Sequence, residues 1–200
     1  MITDMKTVVR EYEVYPFNEL SEKAKENAYC EWIGHFEYAW SSENRATMKR
    51  FEEIFNISIT HWSYDSHTYN YRFTSRYSAE EEELCGVRLL KYLVNNYWYA
   101  LFTAKTYWAG GCQKTRKSRI FVHNDCVLTG YCLDYDILLP IYDFMKAPDN
   151  TTLYGLMNKC LNSFFKSCRD DMEYQISEEA FEEACMANDY EFLSDGKMFN

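Results

Sequence analysis

Glycine and proline are scarce: seven and three in 200 residues. That leaves little material for phosphate-cradling glycine loops, proline-rich linkers or collagen-like repeats. The only adjacent glycines, Gly110-Gly111, lack the spacing of either nucleotide-binding fingerprint. No run of about 18 apolar residues is present, so no membrane-spanning helix is expected. The opening MITDMKTVVREYEV has no charged-then-apolar order and predicts no secretory leader. No internal repeat or low-complexity stretch interrupts the chain. Without a sign of export, the eight cysteines are expected to be reduced thiols rather than a disulfide framework. These absences point to an intracellular protein in the cytoplasm.

What is present is apolar and aromatic. Hydrophobic residues make up 47% of the chain, enough to build a core, and there are 18 tyrosines. Charge is unevenly spread. From Leu84 to Asn124 there is no carboxylate, while Arg88, Lys91, Lys105, Lys114, Arg116, Lys117 and Arg119 are cationic. From Arg169 onward ten acids face two bases. Two solvated faces that neutralise each other, within the fold or across a homodimer, account for this pattern. So do a basic strip for phosphate and an acidic strip that a basic partner reads.

The periodicities alternate between two and 3.6. TVVREYEVY reads as a strand that Pro16 ends, followed by a helix with Leu20, Ala24, Ala28 and Trp32 on one side, capped by Asn18 or Ser21. Ser41 or Ser42 is expected to cap a second helix carrying Met48, Phe51, Ile54 and Phe55. ISITHWSYD and YNYRFTSRY then form a hairpin around SHT. Ser78 and Glu81 form a capping box for a long helix whose buried face would be Leu84, Val87, Leu90, Leu93 and Val94. YWYALFTAKTYWAGGC stays open between helix end, strand and loop, and QKTRKSR reads as an exposed basic loop. Asp134 or Asp136 can cap a helix over YDILLPIYDFMKA, although Pro140 argues against an unbroken one unless it lies in the first turn or at a kink, and Leu153 to Phe165 mark another. Ser177 caps a short acidic helix, and Asp195-Gly196 signals a closing hairpin. The mixed order predicts an α+β class: a small antiparallel sheet, made of the N-terminal strand and a hairpin near 57–77, packed by several helices, with a short C-terminal hairpin. The chain reads as one domain over 1–200, within which 125–200 can form a looser subdomain.

Few residues argue for catalysis. Cys112, His123, Cys126 and Cys132 lack paired zinc-ligand spacing, and small buried thiols account for them. His61, Asp65 and His67 lie at a turn, which favours those residue types without a metal. Asp134 and Asp136, two apart, point different ways on a helix, so a structural role suits them better than a catalytic pair. No cofactor is expected. Two surfaces remain as partner sites. The basic stretch Lys114, Arg116, Lys117 and Arg119, with Tyr107 and Trp108 upstream, combines phosphate pairing with stacking and suits RNA or DNA. The acidic stripe Glu178, Glu179, Glu182 and Glu183 suits a basic groove on a protein.

VYPFNELSEKAKENA resembles the opening of small phage and prophage accessory proteins, with its YxFxELSxxAK pattern. The run DCVLTGYCLDYDILLPIYDFMKAPDN and the segment EYQISEEAFEEACMANDYEFLSDGKMF resemble the C-terminal half of the same group, often labelled antitoxin-like. The resemblance implies a non-enzymatic binding protein in the cytoplasm of a bacterial host, occluding a host defence protein. The most concrete such partner is a CRISPR effector ribonucleoprotein, with guide RNA or DNA within reach. An antitoxin-like regulator that sequesters a toxin or contacts DNA is the second expectation, and an enzyme acting on a nucleotide signal the third. Within the shared segment, Gly130 is expected to turn the chain, Asp134 or Asp136 to cap a helix, and Tyr131 and Tyr135 to dock it.

Overall fold

The structure, a computed structural model, describes residues 9–102, 105–116 and 126–199; at 105–107 and 115–116 it describes the backbone only. In chain order the elements are β1 (Tyr15–Pro16), a 3-10 turn (Phe17–Glu19), α1 (Glu22–Gly34), α2 (Ser41–Phe55), β2 (Ile57–Tyr64), β3 (Tyr69–Ser75), α3 (Ala79–Glu82), α4 (Gly86–Leu101), β4 (Lys105–Ala109), β5 (Cys112–Arg116), α5 (Leu133–Lys146), α6 (Leu153–Gln175), α7 (Glu178–Ala187) and β6 (Glu191–Phe192). The class is α+β with short hairpins, as expected. Among the described residues the strands fall into three separate antiparallel pairs, β1-β6, β2-β3 and β4-β5. Among the described residues no helix is long and apolar enough to cross a membrane.

The chain divides into two compact units: Met1–Tyr38 with Tyr174–Asn200, and Ala39–Glu173. The C-terminal stretch of the first unit therefore folds with the N-terminal residues.

In the first unit, Ser21 caps α1 by accepting from the Ala24 amide, and Ala24 and Ala28 face inward. Phe181 of α7 sits among Phe17, Trp32 and Phe192, with ring centroids 5.3, 5.0 and 6.5 Å away. The expected N-terminal strand is much shorter than its alternation suggests. Among its described residues only Tyr15 and Pro16 pair, and with Phe192 and Glu191 rather than with the 57–77 hairpin. Residues 9–14 have no ladder partner among the described residues, and residues 7–8 of that expected strand lie outside them. The closing turn forms as expected: the Gly196 amide donates to the Leu193 carbonyl, the Leu193 amide to the Lys197 carbonyl, and Gly196 has φ +90°.

In the second unit, α6 is the central element. Leu153, Leu156, Met157, Cys160, Leu161, Phe164, Phe165 and Cys168 are all buried, one unbroken stripe at 3.6-residue spacing. Each large apolar side chain taken out of water here contributes about 1.5–3 kcal/mol before entropy is charged against it. The α2 stripe runs Asn44, Thr47, Met48, Phe51 and Phe55, ending at Asn56 in the left-handed region. Neither Ser41 nor Ser42 caps α2; both lie inside it, after Trp40. Tyr71 of the β2-β3 hairpin stacks on Phe165 (5.1 Å, 14°), and burial raises its hydroxyl to about 12.

The long helix expected after Ser78 is broken. Ser78 and Glu81 do form the capping box, but α3 ends at Glu82. Cys85 is extended and bridges Thr152, the Leu84 carbonyl accepts from the Leu153 amide, and Gly86 turns with φ +56° before α4 starts. This break resets the helical phase. Leu89, Leu93, Trp98 and Leu101 are buried, whereas Val87 is 75% exposed. Pro140 lies inside α5 without ending it.

Candidate partner-binding site

Asp134 decides what the segment from Cys126 to Pro140 does. It is fully buried in the first turn of α5. One carboxylate oxygen, Oδ2, accepts from the amides of Leu128 (2.9 Å), Thr129 (2.6 Å) and Gly130 (3.0 Å). The other, Oδ1, accepts from the hydroxyls of Thr129 (2.7 Å) and Thr47 (2.9 Å). Five donors on one carboxylate satisfy its lone pairs and the loop's amides together. The loop thus folds around the acid and is pinned to α2. The N-cap position belongs to Cys132, which makes no side-chain cap, so neither aspartate caps α5 in the expected way. Gly130 turns the chain at φ +93°. Tyr135 packs against the core beside Tyr142, whereas Tyr131 is exposed and does not dock. Asp136 accepts from Ser167, and burial raises its carboxyl above the usual range.

Cys112 and Cys132 are exposed and Cys126 is half-buried, so these three are not the buried thiols expected. Among the described residues no group of three or more His, Cys, Asp or Glu side chains is placed to hold a metal ion. Asp65 Oδ1 accepts from the His67 and Thr68 amides, both at 2.7 Å, and so builds the turn between β2 and β3. All eight cysteines are free thiols. Cys160, Cys168 and Cys185 are buried, and burial raises all three, Cys185 to about 11. His123 lies outside the described residues.

As far as Arg116, the basic stretch is a hairpin rather than a loop. Gly110 and Gly111, with φ +60° and +79°, supply the two left-handed positions of a tight turn. β4 and β5 pair Lys105 with Arg116, Tyr107 with Lys114 and Trp108 with Gln113. Trp108 is 76% exposed, and Lys114, paired with Tyr107 and so on the opposite face of the hairpin, is exposed too. Lys117 and Arg119 lie outside the described residues.

The acidic stripe is where the charge is concentrated. Ser177 caps α7 by accepting from the Ala180 amide, while Phe181 and Cys185 face inward. Glu178, Glu179, Glu182 and Glu183 are all exposed. Glu183 accepts from the Tyr174 hydroxyl at 2.7 Å, and none of the four forms an ion pair with a described residue. Over the two units the segregation is complete. The first holds fifteen carboxylates and five cationic side chains, a net −10, and the second sixteen of each. Linear charge counting could not reveal this, because two distant segments must be added together.

No family model, no curated protein and no solved structure matches this chain.

Proposed function

We propose that this chain is a non-enzymatic binding protein, encoded by a phage or prophage, that occludes a basic surface of a host defence protein in the cytoplasm. The most concrete partner is a CRISPR effector ribonucleoprotein, where a groove that normally holds nucleic acid offers the complementary charge. One observation carries the reading: the whole net charge of −10 belongs to one unit of 65 residues, with four exposed glutamates on α7 that no described cation neutralises. The phage-type phrases in the sequence supply the class of partner.

Binding of the purified chain to a guide-loaded effector tests this directly. The parent is expected to bind with an association rate that falls steeply with salt, and to restore plaque formation to a phage that the effector targets. Glu178, Glu179, Glu182 and Glu183 reversed together to lysine should leave a folded protein that loses both. Unchanged binding and rescue by that variant would remove the reading.

The exposed Trp108 and Lys114 on the β4-β5 hairpin favour a second reading, an antitoxin-like regulator that contacts DNA by stacking and phosphate pairing. Trp108→Ala with Lys114→Ala should then weaken DNA binding without changing stability. Binding to an effector that survives this double change assigns the hairpin no part in the first reading.

A further inference from the structure

The first unit contains a groove of about 420 Å³, within the range of roughly 300–1,000 Å³ typical of ligand sites. One wall comes from Pro16 and Phe17, at the end of β1 and the turn that follows it. The other comes from the end of α7 and the link to β6, chiefly Met186, Tyr190, Asp189 and Glu191. Its apolar lining is partly open to water, with Met186 58% exposed. An unbranched thioether in such a place adapts to different apolar side chains. Asp189 and Glu191, both exposed, put two carboxylates on the rim, and neither forms an ion pair with a described residue. The groove also lies at the C-terminal end of α7, the negative end of its dipole, which favours a cation.

Each of these features selects against a different occupant. Nucleic acid would meet a unit of net charge −10. A purely apolar segment would bury against Phe17 and Met186 but leave the rim carboxylates desolvated without a partner. A side chain that is both cationic and able to lie flat on aromatic and thioether surfaces satisfies both parts. The arginine guanidinium does this best, because it stacks on rings and donates two parallel N–H bonds to a carboxylate.

From this we infer that the groove docks a short segment of the partner protein in which an arginine adjoins an apolar side chain such as leucine. The apolar group sits on Phe17 and Met186, and the guanidinium pairs with Asp189 and Glu191. This rests on the reading that the acidic unit engages a basic partner, and it adds to that reading a defined anchor point. The glutamates on the outer face of α7 then act at long range, on encounter, while the groove governs dissociation.

Fluorescence anisotropy on the full chain tests it, with a labelled peptide of alternating arginine and leucine as the probe. An arginine–serine peptide of equal charge serves as the reference. Two variants with the same charge change are compared: Asp189→Asn with Glu191→Gln at the rim, and Glu178→Gln with Glu179→Gln at the far end of α7. Asparagine at 189 keeps a residue type that tolerates the left-handed φ of +51° found there. The rim variant is expected to weaken binding of the arginine–leucine probe by about tenfold, and the far variant by no more than about twofold. Met186→Ser, at an exposed position, should weaken the arginine–leucine probe and leave the arginine–serine peptide unaffected. Equal losses from the two charge variants would overturn the groove and leave the acidic unit as a diffuse binding surface. No loss from either would overturn both. Equal affinity for the two peptides, or no measurable binding of the probe, would also overturn the inference.

Discussion

A buried aspartate is stable only when every lone pair it keeps from water is met by a donor. Asp134 meets that condition with three amides and two hydroxyls. Asp134→Ala should cost about 3–5 kcal/mol, because it strands the amides of 128–130 as well as removing the acid. Thr47→Val, which removes one donor, should cost about 1 kcal/mol. In the double variant the two losses should add to less than their sum, since the threonine has no acid left to serve. Urea unfolding of the four proteins measures this, and strict additivity would contradict the shared network. The sequence reads this segment as structural, and the bonds Asp134 makes lie within its own loop and to α2. That the acid reaches backward over its own loop was not legible, because its partner Thr47 is 87 positions away.

Asp136, two residues on, shows the opposite balance. Burial is the first cause of its raised carboxyl pKa, and the bond from Ser167 only partly offsets it. A carboxyl whose folded pKa is raised favours the fold at low pH, where it is protonated, and loses that contribution as pH rises through the folded value. Asp136→Asn should therefore be more stable than the parent at pH 7. The gap should close as pH falls through the raised pKa toward the ordinary carboxyl value. Melting temperatures of the pair across that window report it; a gap that widens on acidification would reverse the assignment.

Elements were legible where one period ran unbroken, and obscure where tertiary contacts interrupted it. The α6 stripe is a single phase from Leu153 to Cys168, and every inward position follows from spacing alone. The helix after Ser78 misled because a bridge to Thr152 and a left-handed glycine divide it, which rotates Val87 out and Leu89 in. The N-terminal alternation misled because alternation says which face a strand would bury, not whether a partner is present to pair with it. The closing hairpin offers the sharpest test at this scale. A Cβ on Gly196 would lie 2.0 Å from the Ala24 carbonyl oxygen of α1, at a φ of +90° that L side chains rarely adopt. Gly196→Ala combines overpacking with backbone strain and should destabilise the first unit by about 3 kcal/mol. Hydrogen exchange should show lost protection in α1 and β6. Protection that is unchanged there would mean that the backbone can withdraw from α1 at little cost.

At the scale of the whole molecule, the two units differ in electrostatics more than in architecture. The first carries −10 on 65 residues, so its carboxylates repel one another and oppose its own compact state; the second is neutral and has no comparable cost. Simple salt acts on that difference. The screening length falls from about 30 Å at 0.01 M to about 3 Å at 1 M, which removes most repulsion between exposed charges on a unit of this size. Sodium chloride is the appropriate salt, because strongly excluded anions such as sulfate would stabilise both units by strengthening burial. Amides in α1 and α7 should gain protection from exchange as chloride rises over that range, while those in α5 and α6 up to Glu173 should change little. The same screening should weaken attraction to a basic partner, so stability of the first unit and its association rate should move in opposite directions with salt. If the two units respond alike, the carboxylates of the first are already neutralised within the chain, and the acidic surface is not held in reserve for a partner.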